Sequence, residues 1–302
     1  MAKVFVNREN SGWIFDRIHA DYIKTTRHQI VGLNDNPDVC WFLNPWGFSQ
    51  VASSLKCPSF VHVHHIDETK ISQWPFDIIN KYATGCIVPN KHTERTLKEY
   101  VDVPIYRFPY WLLSEMTVPK CITEFTFNPY TLIGSFQKDS EGKTNKPKLS
   151  KGPDIFLDIL SKLKDNNYAF KVMLTGYNRG YVIDGLERMN IPFEYHKKVT
   201  DINPLYDMLD WYFVTSRTEG GPQAVLEASY REVKILSTDV GIASEILHPD
   251  CICEGVDEFV SKFKQGIDRT EENYNNVIAN FNCSFVVDRL DDFFEEQACA
   301  VL

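Results

Sequence analysis

The sequence lacks any apolar run long enough to cross a bilayer. No stretch of the 302 residues approaches the ~20 consecutive apolar residues that a transmembrane helix requires. The opening residues, MAKVFVNREN, also lack the long apolar core of a secretion signal. We therefore expect a cytoplasmic protein, and association with a membrane surface is left open.

Positive charge is scarce as well. Lys and Arg together number 32 against 41 Asp and Glu, which gives a net charge of −9. Proteins that bind nucleic acids usually carry a basic surface, so this balance argues against that class. Anionic small ligands are not excluded, because local fields rather than net charge decide their binding.

The eight cysteines lack the C-x-x-C spacing of a zinc site. They are scattered along the chain, and the one close pair, Cys251 and Cys253, is too tight and too isolated for a metal site. We expect reduced and mostly buried thiols rather than a cysteine metal site.

Two further patterns are missing. No G-x-G-x-x-G follows the first predicted strand, which argues against a nicotinamide-dependent dehydrogenase. No segment of roughly 20–50 residues repeats, although the two halves share one architecture.

The chain does contain short apolar segments that alternate with helical patterns. This alternation predicts an α/β fold with parallel sheets. In the first half, strands are predicted over residues 4–6, 39–43, 60–63, 86–88 and 105–108, and helices over 13–22 and 92–100. The pattern restarts near Tyr130, with strands over residues 131–134, 171–174, 193–195, 211–215 and 233–236 and a helix over 155–163.

The restart divides the chain into domains. The best boundary is the break over residues 119–129, which gives a first domain over 1–120 and a second over 121–284. The last segment, 285–302, has a helical pattern. A helix there could pack against either half, and we expect it to pack on the first domain.

A polar insertion over residues 137–150 interrupts the second half. Residues 134–151 contain five lysines against Asp139 and Glu141, a local charge of +3. Such a segment is typical of a solvated loop. Its position directly before a predicted helix also suits an anion-binding role.

The most informative segment runs from Ser216 to Glu227. Gly220 and Gly221 follow a predicted strand and remove side chains where the backbone must turn. Pro222 then occupies the expected first helical position. Two carboxylates, Glu219 and Glu227, flank this turn at the edge of the sheet where α/β proteins bind ligands.

This segment resembles the Glu-x7-Glu signature of retaining glycosyltransferases of the family-four type. The resemblance is strong over residues 130–250 and weak over the first 120. It implies a GT-B fold, in which two Rossmann-like domains have parallel sheets that face each other across a cleft.

The resemblance also implies roles for individual residues. Glu219 is a catalytic residue at the donor sugar, and Glu227 accepts hydrogen bonds from the ribose of the nucleotide. The residues that bind the donor sugar beside Glu219 are Gly220, Gly221, Pro222 and Gln223, of which the proline contributes no amide.

A lysine before a helix matches the phosphate-binding lysine of that family. Lys151-Gly152 precedes the predicted helix, and Lys151 and Gly134 are implied to bind the nucleotide. Ser135 stands where such enzymes commonly have an arginine. One cation is therefore missing from the phosphate site, and Lys138 or another lysine of the insertion is a replacement.

The segment 61–67 of the first half contains three histidines and Asp67. His62 and His64 are predicted to share one face of a strand, with His65 opposite or in the following loop. A metal site and ordinary core histidines are alternatives. The resemblance instead implies that His64 lines the donor sugar as a catalytic residue.

Weaker signals complete the predicted site. Gly12 and Gly176 each follow a predicted strand and resemble glycines near the nucleotide, although ordinary turns explain both equally well. Five aromatic residues of the first half are either acceptor-binding or core residues. They are Trp41, Trp46, Phe48, Tyr110 and Trp111.

The resemblance implies transfer of a sugar from a nucleotide-sugar donor to an acceptor hydroxyl, with retention of anomeric configuration and no obligatory metal or cofactor. The donor is UDP- or GDP-linked, and the acceptor is a glycan, a lipid-linked molecule or a small molecule. The alternatives are another GT-B enzyme, such as a sugar-nucleotide epimerase or a hydrolase, and an inactive nucleotide-sugar-binding protein.

Overall fold

The computed structural model describes residues 1–9, 14–120, 130–142 and 144–300. The chain divides into two compact units, of which the first comprises Met1–Ser114 with Ala279–Leu302 and the second comprises Glu115–Ile278. Most of the predicted boundary segment, residues 119–129, lies outside the described residues.

Strands and helices alternate along the chain. The strands of the described residues are β1 (Lys3–Val6), β2 (Gln29–Ile30), β3 (Val39–Phe42), β4 (Ser59–His62), β5 (Gly85–Val88), β6 (Ile105–Arg107), β7 (Thr131–Ser135), β8 (Phe170–Thr175), β9 (Phe193–His196), β10 (Trp211–Val214), β11 (Lys234–Thr238) and β12 (Ile252–Cys253). The helices are α1 (Ile14–Thr25), α2 (Pro45–Val51), α3 (Phe76–Tyr82), α4 (Lys91–Leu97), α5 (Pro153–Asp165), α6 (Gly180–Arg188), α7 (Asn203–Asp207), α8 (Gln223–Tyr230), α9 (Ala243–Ile246), α10 (Val256–Gln265), α11 (Thr270–Asn280) and α12 (Cys283–Cys299).

The first unit contains a six-stranded parallel sheet in the order β2-β1-β3-β4-β5-β6. The chain adds β2 on one side of β1 and β3 on the other, so the direction in which the sheet grows reverses at the β1–β3 pair. In open α/β sheets, ligands bind at the carboxyl ends of the strands at such a reversal.

The second unit repeats this arrangement. Its six parallel strands have the order β12-β11-β10-β7-β8-β9, and the reversal lies at the β7–β10 pair. The loops that follow β7 and β10 contain Lys151 and Glu219 respectively. Strand order therefore places the loops of Lys151 and Glu219 side by side, although β8 and β9 lie between them in the sequence.

The central strands are buried on both faces, as the continuous apolar segments predict. All four residues of β3, β4, β5 and β10 are buried. Helix α5 packs on the second sheet with Phe156, Ile159 and Leu160, which belong to one core cluster with Val172 and Phe213. The predicted α/β architecture with parallel sheets is confirmed.

Helix α12 is part of the first unit. The wholly buried carboxylate of Asp291 accepts hydrogen bonds from Tyr22 Oη at 3.0 Å, Thr26 Oγ1 at 2.7 Å and the Arg27 amide at 2.8 Å. Three donors compensate the carboxylate for its lost hydration and hold α12 against α1. In the part of the chain that the structure describes, no helix has both the length and the apolar composition for a membrane span.

Candidate active site

The loops after β7 and β10 are joined by their backbones. The carbonyl oxygen of Ser150 accepts hydrogen bonds from the amides of Arg217 at 2.8 Å and Thr218 at 3.1 Å. The Arg217 guanidinium also donates two hydrogen bonds of 2.7 Å to Asp154, and this pairing lowers the pKa of that carboxyl. The two loops are therefore fixed relative to each other before any ligand is considered.

Gly152 makes this approach possible. Its backbone is left-handed, with φ of +59°, and a Cβ atom placed there would lie 1.7 Å from the carbonyl oxygen of Thr215. Thr215 Oγ1 in turn donates a hydrogen bond of 2.9 Å to the Gly152 carbonyl. Helix α5 begins at Pro153 directly afterwards, so Lys151 is held at the entrance of this helix.

Lys151 and Glu219 meet at this edge of the sheet. The Lys151 ammonium contacts Oε1 of Glu219, and the two side chains are 22% and 15% exposed. Ser216 Oγ lies 3.2 Å from the same carboxylate oxygen. Gln137 Nε2 donates a hydrogen bond of 2.9 Å to the Lys151 carbonyl and so links the polar insertion to this pair.

The glycine turn after Glu219 packs against the loop that follows β11. Gly241 has φ of +58°, and a Cβ atom there would lie 2.8 Å from the carbonyl oxygen of Gly220. Pro222 is the N-cap of α8, which begins at Gln223, one residue later than the sequence predicts. Gly220 and Pro222 are buried, whereas Gly221 and Gln223 are partly exposed.

Glu227 lies on the buried face of α8 and is 5% exposed. Its Oε2 accepts a hydrogen bond of 2.9 Å from the hydroxyl of Tyr206, a wholly buried residue of α7. Burial, reinforced by the Glu227 carboxylate, raises the pKa of Tyr206 well above its ordinary value, so this hydroxyl stays protonated. The Tyr206 ring also packs 5.5 Å from that of Tyr212, whose hydroxyl accepts the Phe136 amide.

Gly134 and Ser135 are the last two residues of β7. A Cβ atom at Gly134 would lie 2.3 Å from Leu209, so packing accounts for this glycine. Ser135 is buried, and its carbonyl accepts a hydrogen bond of 2.6 Å from Arg179. The guanidinium nearest Ser135 therefore comes from the start of α6, and Lys138, the suggested replacement cation, is exposed.

Arg179 anchors the lysine-rich insertion. It is buried and donates a hydrogen bond of 2.7 Å to the equally buried Asp139. The Asn178 carbonyl accepts the amides of Asp139 and Ser140 at 3.1 and 3.0 Å, and the Lys148 amide donates to Asp139 at 2.8 Å. A buried ion pair and three backbone hydrogen bonds thus hold the base of a segment whose composition is typical of a solvated loop.

Gly176 follows the last residue of β8 with φ of +85°, and nothing lies within 4 Å of a Cβ atom placed there. Its carbonyl accepts a hydrogen bond of 2.8 Å from Tyr195. Gly176 therefore forms an open turn at the same edge of the sheet as Ser135. Gly12, the other glycine predicted near the nucleotide, lies outside the described residues.

In the first unit, His64 is buried in the loop after β4. Its Nε2 lies 2.7 Å from the Leu43 carbonyl and must donate to it, which leaves Nδ1 to accept the contacting Tyr110 hydroxyl. Burial, and secondarily His62, lower the pKa of His64 well below its ordinary value. His64 is thus a neutral imidazole with both nitrogens bound, and its catalytic role stays a prediction.

The rings of His62 and His64 stack at 4.3 Å, as expected for side chains on one face. Both ring nitrogens of His62 lack a hydrogen-bond partner among the described residues, and burial lowers its pKa to about 3. His65 is exposed in the loop. In the same part of the chain, no three His, Cys, Asp or Glu side chains are arranged to hold a metal ion.

Of the five aromatic residues predicted to line an acceptor groove or the core, one is exposed and four are buried. Trp46 is 47% exposed at the start of α2, and its ring lies 5.1 Å from that of Trp74. This pair stands beside the β1–β3 reversal. The other four are buried core residues, namely Trp41, Phe48, Tyr110 and Trp111.

Two residues of the site, Tyr206 and Arg179, were not predicted from the sequence. Tyr206 resembles any core aromatic, and nothing in its neighbourhood predicts its contact with Glu227. Arg179 does leave a local signal, because a cation at the start of a helix opposes the helix dipole and so calls for a partner elsewhere.

Comparison with known proteins identifies one matching family. Residues 143–269 match the family described as glycosyl transferases group 1, and this range includes Lys151, Glu219 and Glu227. No curated protein sequence matches the chain significantly.

Several solved structures share the fold. HepE of Anabaena, solved with UDP and glucose, is 10% identical with a TM-score of 0.73, and the alignment covers 98% of this chain and 100% of HepE. A glycosyltransferase of Rickettsia africae is 14% identical with a TM-score of 0.68 over 96% of this chain and 83% of its own. Sucrose-phosphate synthase of Thermosynechococcus elongatus is 11% identical with a TM-score of 0.68 over 87% and 74%. The chain has the GT-B fold, and the family match supports a glycosyltransferase.

Proposed function

We propose that this protein transfers a sugar from a nucleotide-sugar donor to an acceptor hydroxyl, with retention of anomeric configuration and without a bound metal. The observation that carries the proposal is the contact between Lys151 and Glu219, with Glu227 on the adjoining helix, at the topological reversal of the second sheet. Since HepE binds UDP and UDP-glucose, a UDP-linked donor is the first candidate. A cytoplasmic location is part of the proposal.

Each charged residue has a separate task. The Lys151 ammonium neutralises the diphosphate, on which negative charge develops as the glycosidic bond breaks. Glu219 accepts hydrogen bonds from hydroxyls of the donor sugar. Glu227 accepts them from the ribose, and the amides of Gly220, Gly221 and Gln223 face the donor.

The Lys151–Glu219 pair suggests an order of events. The two charges neutralise each other in the described structure. An arriving diphosphate competes with the carboxylate for Lys151, and the released Glu219 becomes available to the sugar. Donor binding therefore exchanges one ion pair for another and leaves neither charge uncompensated.

The proposed transfer uses front-face attack. The acceptor hydroxyl approaches the anomeric carbon from the side of the leaving phosphate, and a phosphate oxygen takes its proton. The new glycosidic bond then has the configuration of the broken one. The protein supplies orientation and charge stabilisation, and it need not supply a general base.

The acceptor site is assigned to the first unit, at its β1–β3 reversal. Asn7 Oδ1 accepts the Leu43 amide at 2.5 Å and its amide donates to Glu9 at 2.6 Å, so the loops after β1 and β3 are joined. Trp46 adjoins Gly47, where a Cβ atom would lie 3.1 Å from Asn7 Nδ2, and Trp74 packs against Trp46. An aromatic face with neighbouring amide and carboxylate oxygens suits a hydroxyl-rich acceptor such as a glycan.

Calorimetry with UDP, uridine and UDP-sugars, followed by turnover assays, tests the proposal. Lys151→Ala should lower the affinity for UDP but leave the affinity for uridine unchanged. Glu227→Ala should lower both affinities by about tenfold or more, because hydrogen bonds to a charged group are lost. Glu219→Gln should bind free UDP roughly three- to tenfold more tightly, since Lys151 is released, yet lose turnover.

Lys162→Ala is the matched control, because Lys162 also pairs with a carboxylate of the second unit, Asp257, but lies on the body of α5. It should change none of these values. Product NMR reports the anomeric configuration, and turnover in a chelator reports the metal requirement. Equal losses of uridine and UDP affinity in Lys151→Ala would contradict the proposal, as would a product with inverted anomeric configuration. Tight nucleotide binding without any turnover would identify an inactive binding protein.

A further inference from the structure

A second site lies at the amino end of the first sheet. A cavity of about 310 Å³ opens between the residues that precede β1, β3 and β4 and the last turn of α12. Asp38, Lys56, Cys57 and Cys299 are among its lining residues. Because the strands are parallel, this cavity lies at the opposite end of the sheet from Trp46 and His64.

Two thiols meet at the wall of this cavity. Cys40 on β3 is wholly buried, Cys57 is half-buried, and their Sγ atoms are 3.4 Å apart. The two backbones are adjacent, since the Cys40 amide donates a hydrogen bond of 2.9 Å to the Pro58 carbonyl. A disulfide requires a separation of about 2.05 Å, which is a small displacement for a side chain of β3 and one in the segment just before β4.

The two thiols are not equivalent. The hydrogen bond between the two thiols lowers the pKa of Cys57, although burial and Asp38 oppose it. The pKa of Cys40 is raised by the same contact and by burial. Cys57 also lines the cavity, whereas Cys40 is wholly buried behind the lining residues. Cys57 is therefore the attacking thiol and Cys40 the resolving thiol.

We propose that Cys57 and Cys40 form a modification site that reacts with low-molecular-weight disulfides and ends as a Cys40–Cys57 disulfide. In the first step, the Cys57 thiolate attacks one sulfur of the reagent, forms a mixed disulfide and releases one reagent thiolate. In the second, Cys40 gives its proton to that thiolate and attacks Cys57 Sγ, which breaks the mixed disulfide and expels the second reagent thiolate. This thiolate takes up from solvent the proton that Cys57 lost when it ionised. The protein loses two electrons and two protons, and the reagent is reduced to two thiols.

Trypsin separates the two cysteines, which makes the product easy to recognise. It cleaves after Lys56, so Cys40 lies on the peptide 28–56 and Cys57 on the peptide 57–70. The reduced full-length protein is incubated with oxidised glutathione, alkylated and digested. A disulfide-linked pair of these peptides, with loss of two free thiols per chain, is the expected result.

Single substitutions assign the order of steps. Cys40→Ser should accumulate one glutathione on Cys57, because the resolving thiol is gone, and Cys57→Ser should leave Cys40 unmodified. Cys299→Ser removes the other thiol of the cavity and should behave as wild type. Glutathione retained on Cys299, or a Cys57–Cys299 linkage as the main product, would overturn the assignment.

A second measurement does not need the variants to fold. Phenylarsine oxide bridges two adjacent thiols, so one equivalent should protect both Cys40 and Cys57 of the wild-type protein from alkylation while Cys299 still reacts. Alkylation of Cys57 at an unchanged rate would refute a paired thiol. Neither readout uses sugar transfer, so the result is independent of the proposed function.

Discussion

The hydroxyl of Tyr206 donates a hydrogen bond of 2.9 Å to Oε2 of Glu227. This contact connects α7 to the helix that follows the glycine turn, and a second contact strengthens the same connection. Arg231, at the end of α8, is buried in an ion pair with Asp207, and its Nε lies 2.7 Å from Oδ1. The orientation of the Glu227 carboxylate is therefore set by α7 as well as by its own helix.

Removing the Tyr206 hydroxyl should weaken nucleotide binding through Glu227, although Tyr206 itself does not contact the ligand. We expect Tyr206→Phe to lower the affinities for uridine and UDP about equally, by roughly tenfold, because one oxygen of Glu227 loses its positioning donor. Isothermal titration measures both.

The matched control is Tyr22→Phe, which removes an equally buried hydroxyl from Asp291 in the first unit. It should lower stability but leave nucleotide affinity unchanged. If Tyr206→Phe lowers only the melting temperature, the residue has a merely structural role.

Gly152→Ala should be severely destabilising. A left-handed backbone costs a residue other than glycine about 1–2 kcal/mol, and here the new methyl group would also collide with the Thr215 carbonyl. Gly142 has a similar φ of +56° and open space around it, so Gly142→Ala should cost the backbone term alone. The difference between the free energies of unfolding in urea of the two variants measures the steric term. If both variants lose equal stability, the loops can move apart to accept the new methyl group.

Stability should fall in acid because of His62. Its pKa is about 3 in the folded state against an ordinary value of 6.5, so only the unfolded chain binds a proton between these pH values. The free energy of unfolding therefore decreases as pH falls from 6.5 toward 3, by up to about 1.4 kcal/mol per unit for this group. His62→Phe should flatten the pH dependence, while substitution of the exposed His92 by Gln should not. Identical slopes for wild type and His62→Phe would disprove the assignment.

Trp46→Ala should impair acceptor use. The loss of an aromatic face is worth ~1–2 kcal/mol, so KM for the acceptor should rise roughly five- to thirtyfold, while the affinity for UDP stays the same. Tyr82→Ala is the control, since Tyr82 is also exposed, at 39%, but lies at the end of α3. A rise in KM of equal size in both variants would mean that Trp46 is not an acceptor residue.

The fold was largely predictable from local pattern. Apolar segments such as 86–88 and 171–174 lie within observed strands, and the helix predicted over 155–163 is contained in α5. Pro153 and Gly152 define the start of that helix because one fixes φ and the other accepts a left-handed backbone. Local rules suffice here, since each signal acts within a few residues.

The site was predictable only in part. The Glu-x7-Glu pattern and Lys151 predicted a site at the carboxyl edge of the second sheet; the structure places Lys151 and Glu219 in contact at that edge, and the site and its roles stay predictions. The lysine-rich insertion shows the limit of composition, because a buried pair between Asp139 and Arg179, 40 residues apart, holds it. Likewise, the shared face of His62 and His64 was predicted, whereas the stacking of their rings and the hydrogen bonds that occupy both nitrogens of His64 were not.

By itself, the sequence determined the α/β class, the parallel strands and the turn that follows Glu219, because periodicity and glycine positions are properties of short segments. Only the tertiary structure decided that Lys151 meets Glu219 and that Tyr206 holds Glu227. Those contacts depend on strand order, which places β7 beside β10 although β8 and β9 lie between them in the chain. Strand order follows from how whole helices and sheets pack together, and no local pattern of residues specifies it.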